Sequence, residues 1–253
     1  MWRIRALDTG SIELEKSIGT HLTGYGEILL VPVTVFLIEK IDGKVKIIVD
    51  TGMESPERSQ EVLNQHYFRS EEQKLQVIFK HLHIDPAEIG TVILTHLHHD
   101  HCGNNVLFPH ARFFVQQEEL RYAFAPLPDE TKPYFSPLIG LTPSFMGTAF
   151  ELIDGDEEIL EGIQVIKTPG HTPGSQSVLV NTPEGVYCLA GDNVMLYENI
   201  EKNIPVGHIY SRGDWFSSIR KMRALSDHIL PSHDPALFES TPAFFPRTHS
   251  SKL

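Results

Sequence analysis

The sequence THLHHDHCGNN, residues 95–105, places four histidines and one aspartate in six consecutive positions. Histidine is the commonest metal-binding side chain in proteins, and carboxylates suit hard divalent ions. The preceding stretch TVILT, residues 91–95, is rich in β-branched residues, which predicts a short strand that runs straight into the histidines. The sequence therefore predicts a metal site at the end of this strand.

The alternation of side chains along a strand indicates which histidines face the metal. Near a strand end, residues two apart point to the same side. His96 and His98 are therefore expected to converge, whereas His99 points the other way and is interpreted as a packed or solvent-facing residue. Asp100 and His101 lie where the chain turns towards a helix. Without His99, the stretch has the metal-binding pattern H-x-H-x-D-H.

Three further candidate ligands follow, each at the end of an apolar, strand-like run. They are His171 in VIKTPGHTPGS, Asp192 in VYCLAGDN and His233 in HILPSHDP. Any one of them alone would be interpreted as an ordinary polar residue of a loop. Their occurrence in this order after the histidine motif favours metal binding instead.

The rest of the chain indicates strands in two blocks, each followed by helices. Between the blocks, the Pro-rich segment 126–147 is predicted to be a long surface loop or lid. The order of elements predicts an α+β protein with two sheets and helices packed outside, and the absence of a linker predicts one domain over residues 1–253. Helices are predicted at residues 55–67, 70–84 (with Ser70 as N-cap), 116–125 and 214–227.

Composition limits the partners and the compartment. The net charge of -12 argues against a nucleic-acid or anionic-membrane partner, because both require a basic surface. The longest apolar run, residues 28–38, is too short to span a bilayer and contains Pro32. The two cysteines predict a reducing compartment, with the cytoplasm as the default because no secretory signal is visible. In a eukaryote, Ser251-Lys252-Leu253 would be a peroxisomal signal.

These motifs resemble those of the metallo-β-lactamase-fold hydrolases. The resemblance covers VDTG at residues 49–52, the histidine motif, TPGHTPGS, AGDN and PSHDP. It implies an αββα sandwich of two mixed sheets with helices outside, and two divalent metal ions at one edge. It further implies that His96, His98 and His171 hold the first ion, that Asp100, His101 and His233 hold the second, that Asp192 bridges them, and that Asp50 orients a ligand.

This ligand set suits hydrolysis. Five imidazoles and two carboxylates are compatible with Zn, Fe, Mn or Co, of which Zn is expected. Two divalent ions keep the cluster positive, so that it can polarise a carbonyl, and metal coordination lowers the pKa of water towards neutrality. Asp100 is the expected catalytic residue, because it could accept a proton and return it during ring opening.

Within the family, the chain most resembles the N-acyl-homoserine lactone lactonases and 4-pyridoxolactonase. A small lactone is therefore the expected substrate, and a homodimer is compatible with the sequence. Glyoxalase II-like thioesterases are an alternative, although they have an additional C-terminal region and only 20 residues follow His233 here. Persulfide dioxygenases, which use one iron, are a second alternative. A regulator with structural metals is disfavoured, because structural zinc sites are normally closed by four protein ligands.

One position departs from the lactonases. They usually carry a tyrosine three residues after the bridging aspartate, where its hydroxyl helps to bind the lactone carbonyl, and here that position is Met195. Tyr197 and His208 are the candidate replacements, and each could equally be a structural residue. Residues 67–68 and the 126–147 loop are expected to wall an apolar pocket.

Overall fold

The computed structural model describes residues 1–239 and the short strand Phe244–Phe245. The tripeptide Ser251-Lys252-Leu253 lies outside the described residues. None of the helices in the described part of the chain is long and apolar enough to cross a membrane.

The first sheet has eight strands in the order β13-β1-β2-β3-β5-β6-β7, with β4 paired to β1. Strands β1 to β3 are antiparallel, whereas β3, β5, β6 and β7 run parallel to one another. The strands are β1 Trp2–Glu15, β2 Ile28–Lys40, β3 Lys46–Val49, β4 Tyr67–Phe68, β5 Thr91–Ile93, β6 Arg112–Gln116, β7 Phe150–Ile153 and β13 Phe244–Phe245.

The second sheet has five strands in the order β12-β11-β10-β9-β8. Its pairs are antiparallel except for β11 and β12, so both sheets are mixed, as predicted. The strands are β8 Glu157–Leu160, β9 Ile163–Lys167, β10 Gln176–Thr182, β11 Gly185–Leu189 and β12 His228–Leu230.

Three of the four predicted helices are shorter in the structure, and the fourth, predicted at 214–227, lies two residues earlier. The predicted helix 55–67 ends at Leu63, because Asn64 adopts a left-handed conformation and the chain then forms β4. The predicted helix 70–84 begins only at Leu75, so Ser70 as its N-cap is wrong. The helices are α1 Lys16–Gly19, α2 Pro56–Leu63, α3 Leu75–His81, α4 Gln117–Phe124, α5 Tyr197–Glu201 and α6 Arg212–Leu225.

Three apolar layers define an αββα sandwich. Between the sheets, Ile38 and Val49 of the first sheet lie in one cluster with Val178 and Leu189 of the second. On the outer face of the first sheet, α3 and α4 pack through residues such as Phe79. On the outer face of the second, α6 packs through residues such as Trp215. The predicted architecture is confirmed.

Strand direction brings the predicted ligands to one edge of the sandwich. β3 and β5 are parallel, so their carboxyl ends, which precede Asp50 and His96, lie side by side. In the second sheet β9, β11 and β12 all run the same way, because β9 and β11 are both antiparallel to β10. The loops that carry His171, Asp192 and His233 therefore leave from one edge as well.

The 126–147 loop is irregular, as predicted, but it is firmly packed. It contains two single turns of 3₁₀ helix, Pro128–Glu130 and Pro137–Ile139. The side chains of Tyr134, Phe135 and Phe145 are buried. The loop thus forms a well-packed wall above the edge of the sandwich that carries the predicted ligands.

Candidate metal centre

Asp50 organises the start of the histidine motif. It follows β3 with a left-handed φ of 61°, which turns its side chain towards β5. Its Oδ1 accepts a hydrogen bond from the Thr95 amide at 2.7 Å, and its Oδ2 accepts one from the Thr95 hydroxyl at 2.8 Å. Asp50 therefore fixes the backbone at the point where the strand becomes the ligand loop.

All seven predicted ligands come together. His96, His98 and His171, which we call the first ligand group, form one triad, and Asp100, His101 and His233, the second ligand group, form another. Asp192 joins His96 and His101 in a third triad, and within each triad the candidate ligand atoms lie within 4.8 Å of one another. Each of the seven is at most 9% exposed.

The two oxygens of Asp192 face different groups. Oδ2 lies 4.0 Å from Nε2 of His96 and 3.6 Å from Nε2 of His171. Oδ1 lies 3.1 Å from Nε2 of His101 and 3.2 Å from Nε2 of His233. One carboxylate between two groups of nitrogens has the arrangement that a bridging ligand requires.

The turn that carries Asp192 lies directly on the histidine motif. Gly191 has a φ of 55°, and a Cβ there would lie 2.8 Å from Cβ of Thr95. Only glycine allows this approach without displacing Thr95. The AGDN and THLH motifs therefore position each other.

The ring nitrogens that face away from the ligand groups have acceptors beside them. Thr95 donates its hydroxyl hydrogen to Asp50, so its oxygen is left to accept from Nδ1 of His96 at 3.1 Å. Such bonds fix the tautomer and leave the other nitrogen with a free lone pair. Three more rings turn Nε2 towards the ligand groups and donate from Nδ1 to an acceptor behind them. His101 donates to Asp50 at 2.8 Å, His171 to the His208 carbonyl at 2.8 Å, and His233 to the Pro32 carbonyl at 2.7 Å.

His98 is turned the other way round. Its Nδ1 lies 3.1 Å from Nε2 of His171, at the centre of the first ligand group. Its Nε2 lies 3.6 Å from Oε2 of Glu130, slightly beyond hydrogen-bond length. Glu130 was not predicted from the sequence, because it lies in the irregular loop where no periodicity marks it.

Unpaired buried nitrogens test whether the site fits metal ions. Nε2 of His96 is buried without any hydrogen-bond partner. Nε2 of His101 and of His233 lie against Asp192 but lack the angles of a hydrogen bond. Unsatisfied buried polar atoms each cost about 1–3 kcal/mol, so a convergent set of them requires a ligand. Imidazole nitrogens around carboxylates fit divalent cations.

The charges of the site agree with this fit. Burial lowers the pKa of His171 to about 3, so its ring is neutral at pH 7, which is the form that binds metal. Burial would raise the pKa of Asp100, but His101, His99 and His233 bring it down to about 2. Burial acts in the same way on Asp192, and its histidine neighbours hold its pKa well below the usual range. Both carboxylates are therefore ionised at pH 7.

His99 lies outside these ligand groups. Its Nδ1 is 3.0 Å from the Ser59 hydroxyl, and its Nε2 is 3.3 Å from the Tyr67 hydroxyl. Its ring stacks on Phe135 at 4.8 Å. The ring is buried and hydrogen-bonded away from the ligand nitrogens, which is the orientation predicted from side-chain alternation, although the residue lines the cavity above them.

A cavity of about 420 Å³ opens above the ligand groups, and Asp100 lies in its floor. His208 lines the cavity, with Nε2 donating to Oε1 of Glu130 at 2.8 Å and its ring stacked on His98 at 5.5 Å. The apolar lining residues include Ile12, Leu14, Ile18, Val31, Leu63 and Met195, and the polar ones include Ser17, Gln65, Asp129 and Lys132.

Tyr197 does not line this cavity, so its prediction as a substrate-binding residue is wrong. α5 begins at Tyr197, and the Tyr197 amide donates to the Asp234 side chain at 2.8 Å. Its side chain packs against the apolar layer between the sheets. Met195, two residues earlier, occupies the cavity wall.

Comparison with known proteins identifies the family. Residues 28–233 match the family model of the metallo-beta-lactamase superfamily. The chain belongs to this superfamily. Among curated relatives, an N-acyl homoserine lactonase of Bacillus sp is 32% identical over 199 residues, covering 75% of this chain and 74% of that protein. The N-acyl homoserine lactonase AttM of Rhizobium radiobacter is 33% identical over 186 residues, covering 66% and 67%.

Solved structures of the superfamily share the fold. An N-acyl homoserine lactone hydrolase, with its product N-hexanoyl-L-homoserine bound at the catalytic metal centre, superposes with a TM-score of 0.78. It is 26% identical, and the match covers 97% of this chain and 98% of that one. The resemblance inferred from the motifs is confirmed.

Proposed function

We propose that this superfamily member is a dinuclear-metal lactonase that opens N-acyl homoserine lactones or closely related small lactones. The observation that carries the proposal is the Asp192 carboxylate between two complete ligand groups, at the floor of a cavity with an apolar wall. Two lactonases more than 30% identical to the chain, and a related hydrolase with an acyl-homoserine product at its metal centre, support it.

The proposed ions are zinc, which suits imidazole and carboxylate ligands, and Fe, Mn or Co would fit the same donors. The first ligand group and Oδ2 of Asp192 would hold one ion, and the second ligand group and Oδ1 would hold the other. Bound there, the ions supply a Lewis acid for the lactone carbonyl and lower the pKa of water.

Asp100 is the proposed proton carrier. It is the most exposed of the seven ligands, and it lines the cavity floor. Its carboxylate is ionised at pH 7 and faces the cavity, so it is placed to take the proton of the attacking water. The same carboxyl can then return that proton to the ring oxygen as the lactone opens.

His208 is the proposed polar contact for the substrate carbonyl, in the role that a tyrosine hydroxyl plays in the related lactonases. Its ring lines the cavity beside His98, and Glu130 holds its Nε2. With Nε2 donating to Glu130, Nδ1 can donate to a substrate carbonyl when the ring is protonated. Burial lowers the pKa of His208, but the Glu130 carboxylate beside it raises the pKa overall and so favours that protonated form.

The apolar wall fits an acyl chain. Each additional buried methylene contributes about 0.8 kcal/mol, which is about a fourfold change in affinity. Acyl-homoserine lactones of increasing chain length are therefore expected to give falling KM until the cavity is full.

A substrate panel tests the proposal. It should contain N-acyl homoserine lactones of graded length, simple γ- and δ-lactones and a pyridoxolactone, with S-lactoylglutathione and glutathione persulfide as controls. We expect ring opening of at least one lactone class and no turnover of the controls. Turnover of a control without turnover of any lactone would contradict the proposal and favour the thioesterase or dioxygenase reaction.

A further inference from the structure

We infer that Glu119 is a positioning residue that assembles the first ligand group without belonging to it. The inference rests on the proposed metal-binding role of that group. Glu119 lies on α4, its exposed fraction is 0%, and it is not a member of the ligand triads among the described residues. The sequence motifs did not single it out.

Its carboxylate accepts hydrogen bonds from three separate segments of the chain. Oε1 accepts from the Leu97 amide at 2.9 Å and from the Tyr134 hydroxyl at 2.8 Å. Oε2 accepts from the Thr172 hydroxyl at 2.6 Å. The histidine motif, the 126–147 loop and the loop between β9 and β10 thus meet at one side chain.

Each of these bonds fixes a residue next to a member of the first ligand group. Leu97 lies between His96 and His98, so holding its amide fixes the backbone from which both rings project. Thr172 follows His171 directly. The ring of Tyr134 packs edge-on against the ring of His98, with centroids 4.5 Å apart.

The β9–β10 loop approaches Glu119 through its backbone as well. A Cβ at Gly174 would lie 2.1 Å from the Glu119 amide nitrogen, so this loop rests directly on the first turn of α4. A fixed helix therefore supports the loop that carries His171, and the Glu119 carboxylate ties that loop to the histidine motif.

The imidazole rings of the second ligand group are anchored elsewhere. His101 is held by Asp50 and His233 by the Pro32 carbonyl. In the part of the chain that the structure describes, none of the hydrogen bonds of the Glu119 carboxylate reaches these anchors or the residues they hold. Loss of the Glu119 carboxylate is therefore expected to weaken one metal site and to spare the other.

Metal titration of the metal-free full chain tests this selectivity. Zn²⁺ affinities would be measured by chelator competition, and Co²⁺ absorption would report the geometry. Glu119→Leu, which leaves the three donors without an acceptor, is expected to lower affinity at the first site by about 10- to 100-fold, the usual range for residues that orient ligands. Glu119→Gln keeps one acceptor oxygen and is expected to recover part of the loss.

Two single variants, each lacking one ligand, show at which metal site the affinity is lost. In His233→Ala the first ligand group remains complete, and in His98→Ala the second does. Adding Glu119→Leu should weaken binding in the first variant and leave it unchanged in the second. Glu118→Gln, an exposed carboxylate on the same helix, is the matched control and should change neither. Thr172→Val removes one of the three hydrogen bonds to Glu119, together with the Thr172–Ser175 hydroxyl contact, and should give a smaller selective loss, even if Glu119→Leu fails to fold.

Equal loss at both sites, or no loss at either, would overturn the inference. Protein that binds two ions with the expected selectivity but opens no lactone would refute the proposed function and leave the inference standing.

Discussion

Oε1 of Glu130 lies 2.8 Å from Nε2 of His208, and this contact ties the 126–147 loop to the loop before α6. The other carboxylate oxygen of Glu130 points at His98 from 3.6 Å. The Glu130 side chain thus contacts both His98, a proposed metal ligand, and His208, the proposed substrate contact.

Removal of the Glu130 charge should therefore reduce turnover more than metal content. We expect Glu130→Gln to lower kcat/KM by about 10-fold, because a neutral amide holds the His208 ring less firmly than a carboxylate does, while most of the bound metal is retained. Steady-state kinetics together with elemental analysis would measure both. Asp129→Asn, a neighbouring change at the cavity wall, serves as the control, and an equal loss in that variant would argue against a specific role for Glu130.

His99 and His98 should respond oppositely to substitution. His99→Phe is expected to keep the metal and most of the activity, because its ring bonds only to Ser59 and Tyr67. It should lose about 1–3 kcal/mol of stability, because the buried Ser59 hydroxyl loses its partner, whereas the Tyr67 hydroxyl still donates to Gln65. His98→Ala should lose metal and activity together. Metal analysis of both variants decides this, and loss of metal from His99→Phe comparable to that from His98→Ala would contradict the ligand assignment.

Removal of metal should destabilise the protein. Without ions, the Asp100 and Asp192 carboxylates repel each other and buried ring nitrogens stay unpaired. At free metal about 1,000 times Kd, each ion contributes about 4 kcal/mol, so chelation should lower Tm by roughly 10 °C or more. Calorimetry before and after chelation, with Zn²⁺ added back, measures the change, and elemental analysis should give two ions per chain. One ion per chain at full activity and in excess metal would refute the dinuclear centre.

The cavity wall should limit the length of the substrate. Leu63, at the end of α2, is half-buried and lines the cavity. Leu63→Trp is expected to raise KM for long acyl chains about 10-fold or more while leaving short-chain substrates unaffected, because several buried methylenes lose their place. Gln60→Trp, exposed on the same helix, is the control. Equal effects on short and long substrates would show that the chain binds elsewhere.

The sequence predicted the ligand edge well because that edge is built from local patterns. A strand that ends in H-x-H-x-D-H fixes both the position and the orientation of its side chains, and the structure places His99 where alternation predicts. The helix bounds were less predictable, since the residues after Ser70 form turns and Asn64 ends α2 with a left-handed conformation.

Side chains that act across long separations could not be predicted from the sequence. Glu119 lies in a helix whose sequence is amphipathic, so nothing local distinguishes it from a surface glutamate. Its three hydrogen-bond partners come from distant segments of the chain. Glu130 lies in a loop whose path depends on packing of Tyr134 and Phe135. Tyr197 was misplaced for the same reason, because the start of α5 turns its side chain into the layer between the sheets.

The positions of the ligands along the chain determine the order in which the two ligand groups are synthesised. His96 follows β5 of the first sheet, and His171 lies in the loop after β9. The second ligand group is complete only with His233, which follows β12. β12, which pairs in parallel with β11, is the last strand of the second sheet to be synthesised. A chain emerging from the ribosome therefore contains all three residues of the first ligand group well before His233, the last residue of the second.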